Sequence, residues 1–280
     1  MAKINIQCPL CAKKGMIHIE DNIVLKNSRG ITAVNIDELL ICQHSFVAYI
    51  DKNLRVRDCF IADFTIKLPQ IAIEQELEEI HIPSESFINT YLLTLNLPAQ
   101  FFANVIRCCL FNMNFVVVND LDLLNQNLIN LFEFIFQGTF NAKILTISHR
   151  EFRDNKKFYN NHIALDGEKV LNDKKKLLKP KNLKIESKII QDFFDESDPK
   201  TGLIILKNEI LKIYILTNET LDFIEAMEKW TALDAKKLNI YLSEIHNAKI
   251  SPSYIDFLVN VVRHYYDIDI LDAAEFFSGI

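Results

Sequence analysis

Glycine is scarce in this chain, 6 of 280 residues, and none of the six stands in a GxxxxGK or GxGxxG arrangement. Phosphate-cradling loops need glycine so that backbone amides can approach the phosphates. The usual ATPase and dinucleotide fingerprints are therefore excluded. The serine-hydrolase GxSxG elbow and the metalloprotease HExxH helix are missing as well. No apolar run reaches the ~18 residues that a membrane span requires. The opening residues MAKINIQCPL lack the charged start, apolar stretch and cleavage site of a secretory signal. A cytoplasmic protein with no membrane partner is expected. Of the six cysteines, Cys108 and Cys109 are adjacent in an apolar, helix-like stretch, which suits reduced thiols and a metal better than a disulfide framework.

What is present is a folding chain: 49% hydrophobic residues, 10% of all residues aromatic, enough for one large core or two modest ones. Its net charge of −6 hides an asymmetry. Residues 143–188 hold 13 Lys/Arg against 6 Asp/Glu, whereas residues 189–280 hold 8 against 16. Opposed blocks can attract each other within the fold or between subunits, or the basic one can meet an acidic partner; a solvated loop around NDKKKLLKPKNLK is the plainer alternative.

Residues 1–70 read as a small β module of short, turn-punctuated segments, with a hairpin turn at Asp51, Lys52 and Asn53. The acidic stretch AIEQELEEIHIPSESF reads as a linker into helix, with Ser84 or Ser86 as cap. Residues 71–220 read as an α/β domain. The chain is helical over 84–112 with a break at Pro98, NFVVVND is a buried strand, 121–138 is an amphipathic helix closed by Gly138, and AKILTIS is the next strand. Strand, helix, strand predicts a parallel sheet with a right-handed crossover. Asp166 and Gly167 predict a hairpin, and TGLIILKNEILKIYILTNE a strand pair turning at Asn208 and Glu209. Residues 221–280 read as a helical end packed on that domain. The expected class is α/β with a partly parallel sheet behind a β-rich metal-binding module.

Cys8 and Cys11 in CPLC, followed by Gly15, resemble the first knuckle of a zinc ribbon. Cys42 and His44 would form the second, because residues two apart on an extended chain point to one side. The resemblance covers about the first 65 residues. It departs from the commonest ribbon by having one residue between the second pair and by ending in histidine, so His18 and Cys59 stand as alternative fourth ligands. The resemblance implies a structural Zn2+, because three thiolates and one imidazole close the tetrahedron against substrate water. The module carries 9 Lys/Arg against 7 Asp/Glu, too balanced for a phosphate footprint; Arg55 and Arg57 share a strand face with Asn53.

The strand ending in Asn119 and Asp120 resembles the acidic strand of P-loop ATPases, and KILTIS the polar-tipped strand beside it. Without the glycine loop, that resemblance implies a fold that has lost nucleotide hydrolysis. If the two strands are neighbours, Asn119, Asp120, Ser148 and His149 share the carboxyl edge, where open parallel sheets collect ligands; helix capping by Asp120 and Ser148 is the alternative. Cys108 and Cys109 read as packing, His264 as a helix-end histidine favoured by the local dipole, and Trp230 as core or an anchor. These features point first to a non-catalytic regulatory or adaptor protein that docks a protein partner or itself. An enzyme or ligand binder using the carboxyl edge is second, and nucleic-acid binding through the ribbon and residues 169–188 third.

Overall fold

The computed structural model describes residues 2–19, 24, 30–36, 40–42, 44, 46–60, 68–71, 83–84, 87–227 and 232–271. Strands β1 (Ala2–Gln7) and β2 (Lys14–Ile19) form an antiparallel hairpin, and β3 (Ile31–Ile36), β4 (Phe46–Asp51) and β5 (Val56–Phe60) a second antiparallel sheet. In the hairpin, alternation turns Ile4, Ile6, Ile17 and Ile19 inward, onto Phe46, Ala48 and Ile50 of β4. Val47 and Tyr49, on the opposite face of β4, belong to the large core of the rest of the chain, beside Phe101 and Phe102. Strand β4 is thus buried on both faces, which is why FVAYI is an unbroken apolar run. It joins the two cores.

The turn after β4 lacks glycine, and Leu54 takes the positive φ of +60° in its place. Asp51 stabilises this turn: its Oδ1 accepts the Asn53 and Arg55 amides, both at 2.9 Å, and its Oδ2 accepts Arg57 Nε at 2.7 Å. Arg57 is therefore Asp51's partner, not half of an open basic patch.

Beyond this layer come α1 (Thr90–Asn96), α2 (Ala99–Leu110), β6 (Phe115–Val118), α3 (Asp122–Phe136), β7 (Leu145–Ile147), α4 (His149–Asp154), β8 (Ile163–Asp166) and β9 (Lys169–Leu171). Helices α5 (Lys184–Asp195), α6 (Pro199–Glu225), α7 (Ala235–Ile245) and α8 (Pro252–Tyr265) follow. The sheet order is β7-β6-β8-β9, with β7 and β8 parallel to β6 and β9 antiparallel to β8. The chain is α/β, with a β-rich beginning and a helical end. Gly138 at φ +76° follows α3, and Gly167 at φ +55° makes the β8–β9 turn, as their places in the sequence predict.

Two sequence expectations are corrected. Residues 201–219 are not a strand pair but part of α6, a single helix of 27 residues. Leu203, Leu206, Ile210, Ile213 and Leu216 are buried at three- and four-residue steps, and Asp198 caps the helix by accepting the Thr201 amide at 2.8 Å with Pro199 in the first turn. Packing of one face overrides the β-branched composition. The cap of the helix before Pro98 is Asn89, whose Oδ1 accepts the Leu92 amide at 2.8 Å, and not Ser84, whose carbonyl makes a turn with Phe87 and Ile88. Ser86, most of the acidic linker and Trp230 lie outside the described residues.

Asp58 of β5 ties the layers together. Its carboxylate accepts the Cys59 amide at 2.8 Å and the Ala99 amide at 2.9 Å, capping α2, where Pro98 offers no side chain. Burial pushes this carboxyl up to about 6. Folded protein then holds the Asp58 proton more tightly than unfolded protein, so this contribution is complete below about pH 4 and is lost as pH rises through about 6. Chemical denaturation of the wild type and Asp58→Asn at pH 4, 5, 6 and 7 is expected to show their difference shrinking by up to ~1.4 kcal/mol per pH unit. Parallel curves would count against the buried-proton assignment.

Candidate metal centre

The first knuckle is a closed turn. The Cys8 amide donates to Lys13 O and the Ala12 amide to Cys8 O, each at 2.9 Å, and the turn closes only because Ala12 takes φ +58°. A Cβ in that region costs about 1–2 kcal/mol, so Ala12→Gly is expected to stabilise the module by roughly 1 kcal/mol in denaturant titrations. Strand β2 then leaves with Gly15 pressed on the second knuckle. A Cβ at Gly15 would lie 2.7 Å from Cγ1 and 2.9 Å from Cγ2 of Ile41, the residue before Cys42. Ile41 is buried and β-branched, so it has little room to turn.

The two knuckles bring Cys8, Cys11, Cys42 and His44 together, with one ligand atom from each within 4.8 Å of all the others. His44 Nδ1 lies 3.7 Å from Cys8 Sγ and 3.6 Å from Cys42 Sγ. A tetrahedral ion with sulfur at about 2.3 Å and nitrogen at about 2.0 Å would set such edges near 3.5 Å. Nδ1 is therefore the nitrogen that would face a bound ion. Cys8 and Cys42 are buried, His44 is half-buried, and Cys11 is exposed at the rim. The Lys13 amide brings the Cys11 thiol down to about 7, while burial pushes the Cys42 thiol up. Four protein donors would fill the shell of a tetrahedral ion and leave no position for a reacting water.

The alternative ligands stand apart: neither His18, exposed on β2, nor Cys59, whose thiol burial pushes up to about 12, belongs to the cluster. Cys108 and Cys109 are core residues whose thiols burial also raises. His264 departs from the sequence expectation. It lies flat on Phe111, ring centroids 4.4 Å apart, and burial together with the charges of Lys175 and Arg263 lowers its pKa, outweighing the helix end.

At the carboxyl edge the parallel pairing places Asn119 and Asp120 after β6 beside Ser148 and His149 after β7. Ser148 is a cap, its Oγ accepting the Glu151 amide at 3.1 Å. Asp120 does not cap α3. Its Oδ1 accepts the His149 amide and its Oδ2 meets His149 Nδ1, both at 2.9 Å. Asp166, at the end of β8 and legible in the sequence only as a turn residue, meets His149 Nε2 at 3.1 Å. Neutral imidazole has one N–H, so two carboxylate contacts hold the ring as imidazolium. The Asp166 and Asp120 bonds raise the His149 pKa accordingly, and the His149 amide lowers that of Asp120.

No protein-family description, curated protein or solved structure matches the chain.

Proposed function

We propose that Cys8, Cys11, Cys42 and His44 hold one structural Zn2+, and that the protein is a non-catalytic, cytoplasmic regulatory or adaptor protein working through a protein partner or a second copy of itself. The carrying observation is the closed set of three thiols and one imidazole at tetrahedral spacing. Thiolate-rich tetrahedral sites favour zinc, and six free cysteines suit a reducing compartment. Leu10, between the first two ligands, and Leu40, two residues before the third, are 46% and 62% exposed. Apolar tips beside a rigid ion support docking rather than chemistry. Domains at 1–70, 71–220 and 221–280 accompany this reading, with β4 shared by both cores and α6 continuing across residue 220.

Elemental analysis of protein purified without added metal tests the ion: about one zinc per chain is expected, and none would end the proposal. Docking is tested by isolating a specific complex with the wild type and repeating the isolation with Leu10→Ser/Leu40→Ser. The reading requires a partner lost from the double variant while its zinc is retained.

The second reading rests on the Asp120, His149 and Asp166 contacts at the carboxyl edge, where a ligand or a proton could be handled. Thermal shifts with nucleotides and small metabolites that vanish in Asp120→Ala would favour it over an inert body.

A further inference from the structure

Two adjacent cavities, of about 280 and 380 Å³, share Phe111, Leu177 and His264, and together they are treated as one groove. Asn114 and Ile163, at the amino ends of β6 and β8, line the second, which puts the groove at the opposite edge of the sheet from Asp120 and His149. It is also distinct from the cysteine cluster. We propose that this groove binds phosphate-bearing nucleotides, taken singly or as a short single strand, with lysines on the phosphates and the His264 face beside a base.

The basic block of the sequence supplies the charge. Lys181 and Lys184 line one cavity and Lys174 and Lys175 the other, all four exposed. Of the carboxylates along the groove, Asp173 is engaged from within, its oxygens accepting the Leu177 and Leu178 amides at 3.0 and 2.9 Å; Asp256 lines the first cavity and Asp267 the second. Arg107 is held by Glu186 and by Asn182 O, so the charge offered to a ligand comes from the exposed lysines, of which Lys174 Nζ lies 3.4 Å from Asn161 Oδ1. Long ammonium side chains can follow a phosphate chain as point charges.

The remaining lining suits the rest of a nucleotide. His264, half-buried, lies flat on Phe111 and its ring lines both cavities. Burial keeps it neutral, which leaves it a stacking surface rather than a further charge. Asn112, Asn114 and Asn160 also line the groove, and their carboxamides make no hydrogen bond within the described residues. Such amides offer both a donor and an acceptor to sugar and base edges. Exposed lysines, a planar ring and amides able to donate and accept are the components of single-strand and nucleotide sites.

The test uses the full chain, a fluorescent single-stranded 12-mer and a mononucleotide competitor, at several salt concentrations. The wild type is expected to bind the 12-mer with salt-sensitive affinity. Lys174→Gln/Lys175→Gln should weaken binding about tenfold and flatten the slope of log affinity against log salt by about 1.4, for two single-strand phosphate contacts. Lys236→Gln/Lys237→Gln on α7 removes equal charge from two exposed lysines outside the groove and should change neither. Full competition by the mononucleotide assigns a small ligand, and binding without competition assigns a strand; both uphold phosphate recognition in the groove. No binding of either probe, or equal weakening by both pairs of substitutions, overturns it.

Discussion

Cys42→Ala is expected to lose the bound metal and, with it, the protection of the N-terminal layer against hydrogen exchange. The site draws on both knuckles, 31 positions apart between Cys11 and Cys42, so a metal there closes a long loop. Structural zinc contributes ~10–16 kcal/mol of apparent binding free energy, comparable to the whole stability of a typical domain. The hairpin β1–β2 has a small core of its own, sealed only by β4, and should lose protection first. Amides of β6 and β8 should keep theirs, because Val117 and Leu165 belong to the large core. Exchange measured by mass spectrometry on the variant and on chelator-treated wild type should give one pattern. Unchanged protection in β1–β2 after metal loss would mean that the apolar contacts suffice and the ion is dispensable for folding. Gly15→Ala should move the same region less, by about 1–3 kcal/mol of overpacking against Ile41, with zinc still bound.

The second large effect lies in the body, where Glu186→Ala should destabilise the protein by about 3–5 kcal/mol. Glu186 is fully buried on α5, and both of its oxygens meet Arg107 of α2, one through Nη2 at 2.9 Å and the other through Nε. Arg107 also donates to Asn182 O and lies over the Phe111 ring, 4.4 Å from its centroid. Truncating the glutamate takes two of the three hydrogen bonds from a buried guanidinium, and that desolvation is the source of the penalty. Arg107→Met/Glu186→Met removes both charges and is expected to recover most of the loss. Urea titrations of the two proteins decide it. A double variant no better than Glu186→Ala would show that packing, and not the uncompensated charge, dominates at this contact.

The parts of the fold that local chemistry dictates were legible. Pro98 ends one helix and sits just before the next because proline is not tolerated in a helix interior, the apolar run Phe115–Val118 is too short and too β-branched for anything but a buried strand, and Asp166-Gly167 makes a turn by its own backbone preference. Cys8, Cys11, Cys42 and His44 were legible for a similar reason: few arrangements place thiols and imidazole at knuckle spacing by accident. The misreadings share a cause. Residues 199–225 are rich in isoleucine and threonine, which local propensity assigns to strands, yet their helical face is what α3, α5 and α8 cover. Asp120 looked like a helix cap because aspartate before a helix usually is one, but His149 lies on the neighbouring strand's end and captures it.

The sequence by itself determined where several turns and breaks fall, which residue types could hold an ion, and that no glycine-rich phosphate loop was available. Tertiary structure decided what each polar group does with the partners it meets. Asp51 supports a strained turn, Asp58 caps a helix from another layer, Glu186 neutralises Arg107, and four lysines line a groove beside the Phe111–His264 stack. Backbone preference acts over a few neighbouring residues and can be read locally. Burial, charge pairing and ligand geometry depend on groups that lie tens of residues apart in the chain and become neighbours only when the cores close.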